Sequence, residues 1–116
     1  MSVSWDNMPK IKFITLEKLL EMRANNQDFK LVEVLLEENF AEGHIPGAIN
    51  LPLDKLRVLA KERLDKAETI VVYCGSYHCQ MSTKATKLLL SMGYGKVLDF
   101  KAGKEGWVRA GLELEK

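Results

Sequence analysis

The chain has 116 residues, with Lys+Arg 17 against Asp+Glu 16, a formal net charge of +1 at pH 7, and 47% hydrophobic and 8% aromatic residues. That is enough apolar material for the core of one domain and too much for a disordered chain. The near-neutral balance provides no basic field to draw nucleic acid or an anionic membrane surface, so neither is expected as a partner.

No stretch approaches the roughly 18 apolar residues of a membrane span. The opening MSVSWDNMPKIKF lacks the apolar core of a secretory signal. Two cysteines, Cys74 and Cys79, are too few for a disulfide framework, which points to reduced thiols and a cytoplasmic setting. Cys74, His78 and Cys79 lack a second ligand pair at zinc-like spacing, so no metal and no cofactor is expected.

Residues 1–10 read as a polar lead-in, with Trp5 either loose or covering an edge, and residues 11–116 as the folded domain. Lys12–Thr15 reads as a short strand, with Thr15 placed to cap the helix that Leu16, Leu19, Leu20 and Arg23 predict by their spacing. Asn25–Asp28 breaks that helix, and Lys30–Leu35 follows as a buried strand. Glu37–His44 is a short helical turn ended by Gly43; Ile45–Pro52 begins with a Pro-Gly turn and runs into a brief strand. His44, just before that turn, reads as a structural hydrogen-bonding residue. Asp54–Leu64 is predicted helical, with Asp54 as its cap and its Lys and Glu residues on a solvated face.

Glu68–Cys74, ETIVVYC, is an unbroken run rich in β-branched residues, the pattern of a central parallel strand buried on both faces. Ser82–Tyr94 is the clearest helix, with Ser82 or Thr83 as cap and Gly93 as stop. Lys96–Phe100 is the last strand. Ala102–Leu112 is a glycine-punctuated helix or turn anchored by Trp107. Strands alternate with helices throughout, which predicts an α/β domain with a mostly parallel sheet and helices on both faces.

In such a sheet ligands bind beyond the carboxyl ends of the strands. Cys74 stands at that end of the central strand, and a helix starts about eight residues later. The loop between must curl over the helix N-terminus, where N–H groups and the helix dipole favour a thiolate or an anion. A thiol held there is expected to lose its proton more readily. Against this stands the plain behaviour of cysteine as a small buried hydrophobe, which applies to both thiols.

Three segments carry a resemblance. EVLLEENFAEGHIPGAINLP (Glu33–Pro52) resembles the first signature of single-domain rhodanese-like proteins, the sulfurtransferase homology domain. IVVYC with its loop and helix resembles the family's active-site segment. GYGKVLDFKAGKEGWVRAGLELE resembles its closing signature, with Trp107 and Gly111. The resemblance implies a five-stranded parallel sheet flanked by helices and transfer of sulfane sulfur. It implies Cys74 as the nucleophile that carries a persulfide, with Gly75, Ser76, Tyr77, His78, Cys79, Gln80 and Met81 as the substrate-binding cradle. The implied partners are a small sulfur donor such as thiosulfate and a thiol acceptor, which extends to a protein acceptor.

The sequence departs from the family pattern in three places. Glu33-Val34-Leu35 replaces Asp-Val-Arg, the loop from Cys74 to Ser82 is lengthened, and that loop contains no Arg or Lys, only His78. Gln80 stands where related arsenate reductases and phosphatases place an Arg that grips phosphate, so phosphatase activity is not expected. Cys79 reads either as a packing residue or as a resolving thiol that turns a Cys74 persulfide or sulfenate into a disulfide. Tyr77 reads as a wall of the pocket or as apolar cover, and Lys84 as facing either the pocket or water. A non-catalytic binding or regulatory module, and a thiol redox or arsenate-type reductase using Cys74 and Cys79, remain as alternative functions.

Overall fold

The computed structural model describes residues 10–116, so the lead-in reading of residues 1–10 and both readings of Trp5 fall almost wholly outside the described residues. Five strands form one parallel sheet: β1 (Lys12–Phe13), β2 (Lys30–Glu33), β3 (Ile49–Asn50), β4 (Ile70–Tyr73) and β5 (Val97–Phe100). Their order is β1-β5-β4-β2-β3, which puts β4 at the centre. The helices are α1 (Leu16–Ala24), α2 (Glu37–Glu42), α3 (Leu56–Arg63), α4 (Met81–Ser91) and α5 (Gly103–Arg109).

Alternation along β4 divides the core. Ile70 and Val72, with Cys74 just beyond the strand, join an apolar cluster with Leu56 and Ala60 of α3 and Ala85 and Leu89 of α4. Val71 and Tyr73 face the other way, onto Leu19 and Met22 of α1 and Trp107 of α5. All four β4 residues are buried, as expected for a parallel strand covered on both faces. The apolar stripe of α4 arises from Ala85 and Leu89, one helical turn apart, with Ser82 and Thr86 buried on the same side.

Thr15 caps α1 as its sequence position predicts, accepting the Lys18 N–H at 3.1 Å. Two other caps differ from expectation. Asp54 lies inside a 3₁₀ turn (Leu53–Lys55) and α3 starts only at Leu56, with no side-chain cap. The Leu53 N–H bonds the Val34 carbonyl at 3.0 Å, which ties the turn to the end of β2 and delays the helix. Neither Ser82 nor Thr83 caps α4: the helix begins one residue earlier, after Gln80, and both lie in its first turn. The Thr83 hydroxyl donates to the buried Asp99 at 2.8 Å, whereas the Ser82 hydroxyl is buried near Cys74 without a hydrogen-bond partner.

Candidate active site

The carboxyl ends of β2, β4 and β5 meet at one place. The register pairs Tyr73 with Glu33 on one side and with Phe100 on the other. Cys74, one residue past Tyr73, therefore lies beside Lys101, one residue past Phe100. The Lys104 N–H bonds the Cys74 carbonyl at 3.0 Å and the Glu105 N–H bonds the Gly75 carbonyl at 2.9 Å, so the start of α5 pins the first two loop residues. Gly103 makes this approach feasible. Its φ is +61°, and a Cβ there would collide with the Cys74 carbonyl.

The loop folds back on itself, with the Cys79 N–H bonded to the Ser76 carbonyl at 3.1 Å. Cys74 is fully buried, and its thiol lies 3.5 Å from the Cys79 carbonyl. The Ser82 hydroxyl, buried and with no other partner, faces the Cys74 sulfur, as does the Ser82 N–H. Cys79 is half-buried and, with Met81, packs on the apolar cluster behind β4. Gly75, Ser76 and Met81 are half-buried; Tyr77, His78 and Gln80 are exposed, Tyr77 at 68%. Lys84 is exposed as well. Tyr77 borders a hollow of about 220 Å³ shared with Ala102, Glu105, Gly106 and Arg109.

One expectation is corrected here. Cys74 does not ionise more easily than an ordinary thiol: burial, and then its hydrogen bond to Cys79, push it up, against the opposing effect of Ser82. Cys79 instead stands below the ordinary thiol range. Burial opposes its ionisation, but the Cys74 thiol, the Met81 and Gly75 N–H groups and the Lys101 charge together outweigh that. Positive charge reaches the loop from outside it. The loop sequence lacks Lys and Arg, yet the Lys101 ammonium reaches the Cys79 carbonyl at 2.6 Å. Lys101 comes from the adjoining strand end, and the signal that could have revealed it is the parallel pairing of the two C-terminal strands.

On the other face of the sheet lies a buried polar group. Tyr73 donates to Glu33 Oε1 at 2.9 Å and accepts the Ile45 N–H at 3.1 Å. The Lys104 ammonium lies 3.2 Å from Glu33 Oε2, an ion pair without hydrogen-bond geometry, and donates to the Asn39 carbonyl at 2.8 Å. Glu33, Tyr73 and Lys104 thus join β2, β4 and α5 at the carboxyl end of the sheet, on the face opposite the Cys74 side chain. His44 has the structural role read from the sequence: its Nδ1 is 3.0 Å from the Phe40 carbonyl, its ring stacks on Phe40, and Nε2 lies 3.4 Å from Glu115.

Burial raises the Glu33 carboxyl above its ordinary value of 4.5, and the Tyr73 hydrogen bond and the Lys104 charge only partly offset that. The folded protein therefore holds the Glu33 proton longer than the unfolded chain does. Its contribution to stability is complete below pH 4.5 and is lost as pH rises through the elevated value. Urea midpoints of wild type and Glu33→Gln, measured across that range, are expected to diverge in favour of the variant as pH rises. A constant difference would contradict the assignment.

The family model of the rhodanese-like domain matches residues 15–110. A protein from Allochromatium vinosum named "Sulfurtransferase" is 33% identical over 98 residues, covering 84% of this chain and 89% of that protein. An HTH-type transcriptional regulator from Mycobacterium tuberculosis is 34% identical over 106 residues, but this chain spans only 44% of its length. The solution structure of a rhodanese-like domain from an Anabaena protein superposes with a TM-score of 0.81 at 25% identity, covering 91% of this chain and 80% of that one. The chain belongs to the rhodanese-like family, and its relatives include sulfurtransferases.

Proposed function

We propose that this domain transfers sulfane sulfur through a persulfide on Cys74. The observation that carries the reading is the pairing of Cys74, at the carboxyl end of the central strand, with the buried and otherwise unpartnered Ser82 hydroxyl in the first turn of α4. An anionic sulfur bonded to Cys74 would find the Ser82 hydroxyl, the Ser82 N–H and the positive end of α4 around it. The Cys74 thiolate attacks the outer sulfur of the donor, a new S–S bond forms, and the donor's remainder leaves with the bonding electrons, as sulfite when the donor is thiosulfate. An acceptor thiolate or cyanide then attacks the outer sulfur and frees Cys74. Lys101 supplies the positive charge that the loop sequence omits, and Gly75 to Met81 form the cradle.

The reading is tested by following thiocyanate from cyanide with thiosulfate, polysulfide and glutathione persulfide in turn. Turnover with at least one donor is expected. No turnover and no sulfur loading with any of them would overturn it.

A second reading, a binding or regulatory module without catalysis, is favoured by one observation: Cys74 is fully covered and its thiol is pushed above the ordinary range. It predicts slow alkylation of Cys74 at every pH below that of an ordinary thiol and no sulfur uptake. Rapid uptake from any donor excludes it.

A further inference from the structure

We propose that Cys79 resolves the Cys74 persulfide, making the domain a two-thiol unit that reduces sulfane sulfur and releases sulfide rather than a one-cysteine carrier. The inference rests on the Cys74 reading above and deepens it. Four observations carry it. The Ser76–Cys79 turn folds the loop so that the second cysteine returns to the first. The Cys74 sulfur lies 3.5 Å from the Cys79 carbonyl, which brings the two cysteines side by side. Lys101 anchors that same carbonyl at 2.6 Å, fixing the returning residue in place. Finally, Cys74 is covered whereas Cys79 is partly open, so a sulfur loaded on Cys74 meets Cys79 before it meets a thiol from solution.

The steps balance. Cys74 passes its proton to Cys79 and attacks the donor as a thiolate, leaving Cys74–S–S⁻ and Cys79–SH. The Cys79 sulfur then attacks the Cys74 Sγ; the Sγ–Cys79 bond forms as the bond to the outer sulfur breaks. The outer sulfur leaves with the electron pair and the Cys79 proton, as HS⁻. The two cysteines are oxidised to a disulfide and the sulfane sulfur is reduced to sulfide. A dithiol reductant of the thioredoxin or dithiothreitol class returns both thiols for the next cycle. The opposite shifts of the two thiols support the proton order, since Cys79 is the better seat for the negative charge at rest and Cys74 for the proton.

The test loads reduced full-length protein with one equivalent of glutathione persulfide. It then follows trapped sulfide and intact mass without reductant, on wild type and Cys79→Ser. Wild type is expected to release one sulfide per chain, to end two hydrogen atoms lighter than the reduced protein, and to recover with dithiothreitol. Cys79→Ser is expected to keep an added sulfur atom and to release sulfide at least about tenfold more slowly. Wild type that keeps the added sulfur, with Cys79 still open to alkylation, overturns the relay while leaving the Cys74 reading intact. If neither protein takes up sulfur, the Cys74 reading falls and the relay with it. The wild-type mass and sulfide count decide the matter even if the variant folds poorly.

Discussion

Cys74→Ser is expected to abolish sulfur loading and thiocyanate formation while leaving a folded domain. On the proposed mechanism the first step is attack by a sulfur anion, and a serine hydroxyl at this position neither ionises near neutral pH nor forms a persulfide. Removing the nucleophile of a covalent mechanism costs on the order of 10⁶ in kcat, which puts any residual turnover at background. Stability should suffer far less. The substituted side chain is small, and the Cys79 carbonyl that the thiol faces at 3.5 Å can accept from a hydroxyl instead. Losing apolar packing and seating a polar hydroxyl there costs roughly 1–3 kcal/mol, within what a domain tolerates. Far-UV circular dichroism and a urea titration check the fold, and thiocyanate production checks the chemistry. Undiminished thiocyanate production by a folded variant would remove Cys74 from the mechanism.

Gly103→Val is expected to be the most destabilising single change near the site. Gly103 sits at φ +61°, a left-handed conformation that is unfavourable for a β-branched residue, and its missing Cβ leaves room for the Cys74 carbonyl. Backbone strain of about 1–3 kcal/mol adds to an overpacking penalty of about 1–3 kcal/mol. The obstacle is backbone held by the Lys104 N–H bond at 3.0 Å, so it cannot swing aside as a flexible side chain would. A loss of roughly 2–6 kcal/mol is a large share of a domain's typical 5–15 kcal/mol. Gly75→Ala is the control: a Cβ at Gly75 meets nothing within 4 Å. Urea unfolding should show a large drop for Gly103→Val and little change for Gly75→Ala. Equal midpoints for the two variants would show that the α5 start does not clamp the loop.

The parts of this protein that repeat along the chain were legible in its sequence. The apolar run of β4, the Thr15 cap and the position of Cys74 follow from local pattern, because burial period and cap chemistry are set by neighbours a few residues away. The parts set by the pairing of strands were not. Lys101 is 22 residues from Cys79, the residue whose carbonyl it grips, and Lys104 is 71 from Glu33; only strand order and register bring them together. The start of α4 was misread for a related reason. Ser82 has the composition of a cap, but it lies inside the first turn with its hydroxyl buried near Cys74 and without a hydrogen-bond partner, an environment that helix propensity cannot see. The ionisation of the two cysteines followed the same division. The helix-end argument expected an easier ionisation at Cys74, yet the loop's fold-back delivers the Gly75 and Met81 N–H groups to Cys79 and leaves burial to dominate at Cys74.

One measurement bears most directly on sulfur transfer by this domain. Reduced protein is exposed to a sulfane-sulfur donor and quenched at once with an alkylating agent. The modified chain is then weighed intact and fragmented to locate the added atom. At early times in wild type, and persistently in Cys79→Ser, the extra sulfur should map to Cys74, and Cys74→Ser should carry none. An added sulfur found on Cys79 in the Cys74→Ser protein, or found on no cysteine in Cys79→Ser, would contradict a mechanism that begins at Cys74.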